Sequence, residues 1–70
     1  MTYFELRTLK GSSMRGWMNY HHFDDRLLCV TRMDESVIVV PIAQLDYFEE
    51  LPDGHSRIPA WANENRPEGK

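Results

Sequence analysis

The residues best suited to chemistry in this chain lie in one run of aromatic and imidazole side chains, Tyr20-His21-His22-Phe23. Flat rings beside a turn can stack on the bases of single-stranded nucleic acid, and each stacked base contributes about 1–3 kcal/mol. Asp24 follows the run and opens a polar turn. The alternative is packing, because alternation along a strand would leave two of these residues packed and two solvated. Both interpretations stay open.

The histidines and the cysteine are the other candidate ligands. His21 and His22 are adjacent, so on a strand they point to opposite faces and cannot readily chelate one ion within a subunit. Cys29 lies between Leu28 and Val30, a setting typical of a buried, unreactive thiol. The sequence therefore predicts no metal site and no cofactor.

Paired carboxylates occur only as sequence neighbours, at Asp24-Asp25 and Glu49-Glu50. Glycosidase-like chemistry needs two carboxyl groups opposed across a cleft, and a domain of this size offers little cleft. The sequence contains no glycine-rich phosphate loop, no Ser-His-Asp set and no HExxH motif. We therefore predict that the protein is not an enzyme and has no catalytic residues.

Charge is distributed unevenly. Residues 1–33 hold five basic and three acidic side chains, residues 34–70 hold three basic and eight acidic, and the net charge is −3. Nucleic-acid binding through bulk electrostatics would require an overall basic excess, which is absent. The basic side chains that could form a local face for phosphate are Arg7, Lys10, Arg15 and Arg32. Alternatively, they are solvated strand edges that limit aggregation.

Seventy residues leave room for one small domain, whose core rarely supplies more than about 3–5 kcal/mol of stability. One cysteine cannot form an intramolecular disulfide, so oligomerisation is the expected source of further buried area. No apolar run approaches the ~18 residues of a membrane span, and the N-terminus lacks the pattern of a secretory signal. We therefore expect a cytoplasmic protein with no membrane partner.

Short strands separated by turn residues dominate the pattern. The predicted strands are residues 2–10, 14–23, 27–33, 37–42 and 46–51, with a corner at 43–45. In the second strand, strict alternation places Met18 and Tyr20 on one face and Trp17 and His21 on the other. The fourth strand is apolar on both faces, as expected for a strand covered on each side, and Pro41 should lie at its end or at a bend.

Five short strands in meander order predict an all-β fold, a strongly bent five-stranded small barrel of SH3-like, OB-like or Sm type over residues 1–51. The long first connection and the helix of an OB fold are both missing, and no run of ten or more residues has a helical pattern. Residues 52–70 are predicted to be an irregular C-terminal extension. Within it, residues 58–61 are expected to pack on the barrel or on a neighbour, with Trp61 as the anchor.

Several motifs occur in a specific order. The first strand ends in Leu9-Lys10-Gly11, Gly16 precedes Met18 by two residues on the second strand, and Phe23-Asp24 opens the turn into the third. The run VIVVPIAQLDYFEEL then supplies two strands and the corner between them. In this order the motifs of residues 3–51 resemble those of the Sm-like family, which includes Sm and Lsm proteins and bacterial Hfq. The chain departs from that family in having no room for a helix before the first strand.

The resemblance implies a homo-oligomeric ring of about five to seven subunits, in which the fourth strand of one subunit pairs with the fifth strand of the next. The interface residues that it implies are Val37, Val39, Val40, Tyr47 and Phe48. It also implies that single-stranded RNA binds at the central pore of this ring. The residues implied for that contact are Tyr20, His21, His22, Phe23, Asp24 and Gln44.

A second function is a small protein-interaction or assembly module, of the kind that phages or mobile elements encode, with no nucleic-acid role. Two observations favour it. The net charge is negative, and the family's pore-facing Arg-Gly or Lys-His positions fall near Pro41-Ile42. The order of the motifs favours the RNA-binding function over this alternative.

Overall fold

Residues 1–67 are described by a computed structural model, in which five strands precede one short helix. The strands are β1 (Thr2–Thr8), β2 (Ser13–Asp24), β3 (Leu27–Arg32), β4 (Val37–Pro41) and β5 (Leu45–Pro52). A 3-10 turn, Ile42–Gln44, forms the corner between β4 and β5, and helix α1 spans Ala60–Glu64. All five predicted strands are present, and Pro41 ends β4 as predicted. Residues 68–70, the end of the predicted extension, lie outside the described residues.

The strands form one antiparallel sheet in the order β4-β3-β2-β1-β5. The fifth strand follows the fourth along the chain but pairs with the first, on the opposite side of the sheet. The sheet is therefore open: β4 and β5 are its two edges, and no ladder joins them within residues 1–67. A five-stranded antiparallel sheet is confirmed, whereas closure into a barrel is not observed.

One irregularity in β2 divides the sheet into two halves. The first half of this long strand pairs with β1 and the second half with β3, and the β2–β3 register shifts between Met18 and Tyr20. An extra residue reverses the alternation of side chains beyond it. Trp17 and Tyr20 consequently share one face of the strand, and Met18 and His21 share the other. The strict alternation predicted for this strand is wrong for that reason.

The main core shows that the sheet bends. Its buried members are Phe4, Leu6, Met18, Leu28, Val30 and Val40, with Ile38, Leu45 and Phe48 packed against them. Neighbouring strands lie about 4.8 Å apart, so the edge strands of a flat five-stranded sheet would be separated by about 19 Å. Side chains from all five strands meet in this cluster because the two halves of the sheet fold over it.

A second core covers the other face of β1, β2 and β5. It joins Tyr3, Trp17 and Leu51 of the sheet to Ile58 and Ala62 of the C-terminal segment. The indole Nε1–H of Trp17 donates a hydrogen bond of 3.0 Å to the Ala62 carbonyl oxygen. A helix of five residues is not stable by itself, so these contacts must hold α1 in place.

The C-terminal segment therefore packs on the sheet, with a helical turn where an irregular chain was predicted. Its buried anchors are Ile58 and Ala62. Trp61, the predicted anchor, is 48% exposed. Its ring lies edge-on to Tyr3 at a centroid distance of 6.4 Å. The small side chain of Ala62 fits closely where the larger indole cannot, so Trp61 covers the rim of the second core.

Replacement of Ile58 by alanine tests the second core. We expect Ile58→Ala to lower the free energy of unfolding by about 2–4 kcal/mol, because it leaves a cavity beneath the C-terminal segment. The same change at the exposed Ile42 should cost less than about 1 kcal/mol. Urea denaturation of both variants measures the difference. Equal losses at the two positions would show that residues 58–62 do not pack on the sheet.

The buried side chain of Tyr3 leads us to expect that the protein loses stability at alkaline pH. Its side chain is buried, its hydroxyl has no hydrogen-bond partner within residues 1–67, and burial raises the pKa of Tyr3 above its ordinary value of 10.0. The unfolded phenol ionises first as pH rises, so the stability that Tyr3 contributes is present below pH 10.0 and is lost above it.

We therefore expect Tyr3→Phe to be at least as stable as the parent at neutral pH, since no hydrogen bond is lost. The variant should also lose less stability above pH 10.0. Thermal melts across an alkaline pH series measure both effects. Tyr20→Phe, at an exposed tyrosine, serves as the control and should leave the profile unchanged. If Tyr3→Phe lost stability with rising pH as the parent does, the Tyr3 hydroxyl would not be the cause of the alkaline loss of stability.

Candidate functional site

The run Tyr20-His21-His22-Phe23 occupies the second half of β2, where the strand divides it between two faces. His21 and Phe23 lie opposite Val30 and Leu28 of the main core. Tyr20 and His22 lie opposite Thr31 and Cys29, on the other face. The four predicted ligand-binding side chains therefore do not form one surface.

His21 and Phe23 form, together with Phe48 of β5, a cluster that we call the aromatic row. The ring centroid of His21 lies 4.8 Å from that of Phe48 and 5.9 Å from that of Phe23, with the latter pair perpendicular. Phe48 in turn stacks on the buried Phe4 at 6.4 Å. At the other end, Phe23 is 56% exposed. The row thus extends from the core to the surface: Phe48 packs on the core, His21 packs on Phe48, and Phe23 packs on His21.

Phe48 was predicted at a subunit interface, which stays a prediction, and in this structure it packs within its own chain. Its ring packs against the main core and contacts His21 within the same chain. The alternation along β5 turns it toward the core, while Tyr47 points away and stays partly exposed. The side chain of Phe48 therefore belongs to the aromatic row.

Glu50 adds a carboxylate to the row. It lies two residues beyond Phe48 on β5, so both side chains share a face, and its Oε2 atom is 3.6 Å from Nε2 of His21. The side chain of Glu50 is 47% exposed. Because β1 separates β2 from β5 in the sheet, only the bend brings these groups together. The sequence analysis did not include Glu50 among the candidate site residues. The only sequence signal that could have placed it there was its spacing of two residues from Phe48.

The turn between β2 and β3 lies beside the exposed end of the row. Asp24 is exposed and closes the ladder opposite Leu27, and Asp25 adopts a φ of 54°. Aspartate tolerates this left-handed conformation better than most residues do. The Arg26 carbonyl accepts a 2.8 Å hydrogen bond from the Ile42 amide, which ties the turn to the corner.

Gln44, predicted to share the site, lies at the other end of that corner. Its side chain is exposed, and its backbone carbonyl accepts a 2.9 Å hydrogen bond from the Leu9 amide. Leu9 follows the end of β1 and leads into the β1–β2 turn. This bond ties Gln44 to that turn, so the structure does not bring it to the aromatic row.

The predicted basic face is divided as well. Arg7 lies over the ring of Tyr47 and Arg15 over that of Trp61, at 5.7 and 5.4 Å from the ring centroids. Both arginines lie on the face opposite the aromatic row, because each alternates along its strand with residues that face the main core. Arg15 also approaches Glu5 at 3.9 Å. Arg32 borders a shallow depression of about 190 Å³ with Trp17 and Met33, and Lys10 lies in the β1–β2 turn.

The turn between β3 and β4 carries a perturbed carboxylate with a structural role. The Ser36 hydroxyl and amide donate hydrogen bonds of 2.6 and 3.0 Å to Oδ1 of Asp34. These two bonds hold the pKa of Asp34 below its ordinary value. The Asp34 carboxylate is exposed, and its hydrogen bonds to Ser36 fix the turn in which Glu35 adopts a φ of 73°.

The edge strands present the remaining predicted residues. Val37 and Val39 of β4 are 57% and 52% exposed, and Tyr47 of β5 is partly exposed. The fourth strand is therefore covered on one face, whereas the sequence predicted cover on both. Val40 points the other way into the main core, and its predicted place at an interface stays a prediction.

Within residues 1–67, no group of three or more His, Cys, Asp and Glu side chains is placed to hold a metal ion. The described part of the chain also contains no helix long and apolar enough to cross a membrane.

Comparison with known proteins gives no relative: no family model matches the chain, and no curated protein or solved structure does. The resemblance to the Sm-like family therefore depends on the sequence motifs alone and stays a prediction.

Proposed function

We propose that the protein is a non-enzymatic subunit of a homo-oligomeric Sm-like ring that binds single-stranded RNA through the aromatic row. The observation that carries this proposal is the pair of unpaired sheet edges. β4 bears exposed valines, β5 bears Tyr47, and neither strand has a partner on its outer side within residues 1–67.

Unpaired edges with exposed β-branched side chains are templates for pairing with another chain. Pairing of β4 of one copy with β5 of the next uses two different surfaces, and such a contact closes into a ring when its rotation allows. It would cover Val37, Val39 and Tyr47. It would also supply the additional buried area that a domain of this size needs.

The proposal for RNA depends on Phe23. This ring is more than half exposed and packs edge-to-face with His21, which in turn packs on Phe48. A rigid exposed ring binds a base at low cost in conformational entropy, which makes it a suitable stacking platform. In a ring of subunits the same platform would be repeated around the axis, so that successive bases could bind to successive copies.

The alternative is an assembly module without a nucleic-acid role, and a specific observation favours it. Glu50 lies beside His21 of the row and Asp25 lies in the turn that follows Phe23, whereas Arg7 and Arg15 lie on the opposite face. Carboxylates repel a phosphate backbone. Under this alternative, Phe23 and the exposed valines would both serve contacts between proteins.

The native mass of the purified protein tests assembly. At micromolar concentration we expect a closed particle of about five to seven chains by native mass spectrometry. Val39→Asp should dissociate it, because a charge would be buried at the β4 edge. Met14→Asp, at an exposed methionine of the central strand β2, should leave the particle intact.

A monomer or dimer of the parent protein would contradict the ring. A particle of unchanged mass in Val39→Asp would leave the ring possible and remove β4 from the interface. Both variants alter exposed side chains, so circular dichroism should confirm that each keeps its fold.

Fluorescence anisotropy with short uridine-rich or adenosine-rich RNA tests the binding function. We expect Phe23→Ala to weaken binding by about tenfold, since one stacked base is lost. His22→Ala serves as the matched control, because that ring lies on the opposite face of the same strand. An affinity of the parent protein weaker than about 10⁻⁴ M would contradict RNA binding and support the assembly module.

A further inference from the structure

We propose that the aromatic row selects guanine among the bases of single-stranded RNA, with the Glu50 carboxylate accepting hydrogen bonds from the base. This inference rests on the proposed function and assigns a preferred base to the same site. It follows from the position of a carboxylate beside an exposed stacking ring.

His21 contacts both of the other groups. Its ring lies perpendicular to that of Phe23 at a centroid distance of 5.9 Å, and its Nε2 atom lies 3.6 Å from the Glu50 carboxylate. The carboxylate is therefore one imidazole ring away from the exposed phenyl ring. In the proposed complex a purine stacked on Phe23 is perpendicular to the imidazole, as Phe23 itself is, and its edge is directed past His21 toward Glu50.

Glu50 retains the capacity to accept hydrogen bonds. An ionised carboxylate offers about four acceptor positions on two oxygens, and Oε2 is the atom that approaches His21. The neighbouring Glu49 differs, because Arg57 donates to its Oε1 at 2.5 Å on the opposite face of β5. Of the two adjacent carboxylates, Glu50 is thus the one beside the aromatic row and outside an arginine ion pair.

Guanine is the base whose donors match this carboxylate. Its Watson–Crick edge presents N1–H and the N2 amino group side by side, so one carboxylate can accept from both. Adenine and cytosine place an amino group beside a ring acceptor, and uracil places its N–H between two carbonyls. A carboxylate therefore meets a repelling lone pair on each of those bases, and a bidentate pair contributes about 1–3 kcal/mol of discrimination.

The local charge agrees with recognition of a base. Glu50 beside His21 and Asp25 in the adjoining turn give the row an acidic character, with Arg26 as the basic residue of the turn. Such a surface repels phosphate, but it attracts the partially positive N–H groups of a neutral base. The acidic residues that weaken general RNA binding would thus favour one base over the others.

Fluorescence anisotropy with three matched RNAs tests the inference. The probes are a short uridine oligonucleotide, the same oligonucleotide with one central guanosine, and a third with inosine in place of guanosine. We expect the guanosine to tighten binding about tenfold. Inosine, which lacks the N2 amino group, should lose most of that gain.

Glu50→Gln should abolish the preference for guanosine while the uridine oligonucleotide still binds, because the stacking rings are unchanged. Glu49→Gln is the matched control, one residue away on the opposite face, and should keep the preference. Equal binding of all three RNAs by the parent protein overturns the guanine inference and leaves the proposed function standing. A preference that survives in Glu50→Gln also overturns it, since recognition would then lie elsewhere.

If the parent protein binds none of the three RNAs, the proposed RNA function fails and the guanine inference fails with it. Failure of guanine selection and failure of RNA binding are therefore distinguishable in one set of measurements.

Discussion

The register shift between Met18 and Tyr20 of β2 is the constraint on which the rest of the structure depends. It follows Met18, the residue of β2 that pairs with both β1 and β3, and it reverses which side chains face the main core. Without it, Tyr20 and His22 would point into the core, and His21 would point away from Phe48. A local insertion therefore determines both the bend of the sheet and the composition of the candidate site.

The bend has a consequence for stability, because it allows a short chain to build two cores. One lies between the halves of the sheet, and the other lies beneath the C-terminal segment, where Trp17 donates a hydrogen bond to Ala62. Both cores use the central strands β1 and β2, and neither covers the outer edges of β4 and β5. The interior is thus well packed while the edges stay available, a combination that suits a subunit of an assembly.

The candidate site combines two features that oppose each other for a nucleic acid. An exposed phenyl ring packed against an imidazole favours stacking, and nearby carboxylates disfavour phosphate. The arginines that could offset the carboxylates lie on the other face, over Tyr47 and Trp61. In the proposed function, recognition through the base edge would resolve this opposition, since a base presents N–H donors where the backbone presents only negative charge. If instead the carboxylates dominate, the same surface suits contacts between proteins.

The sequence by itself determined the strands and the chemistry available to them. Turn residues and alternation predicted five strands, and the position of Pro41 predicted the end of the fourth. Strand order, the faces of Tyr20 and His21, and the approach of Glu50 to His21 were decided only by the tertiary structure. Alternation is a local property that one bulged residue reverses, and Glu50 meets His21 across an intervening strand. Such contacts depend on the bend, which no short segment encodes alone.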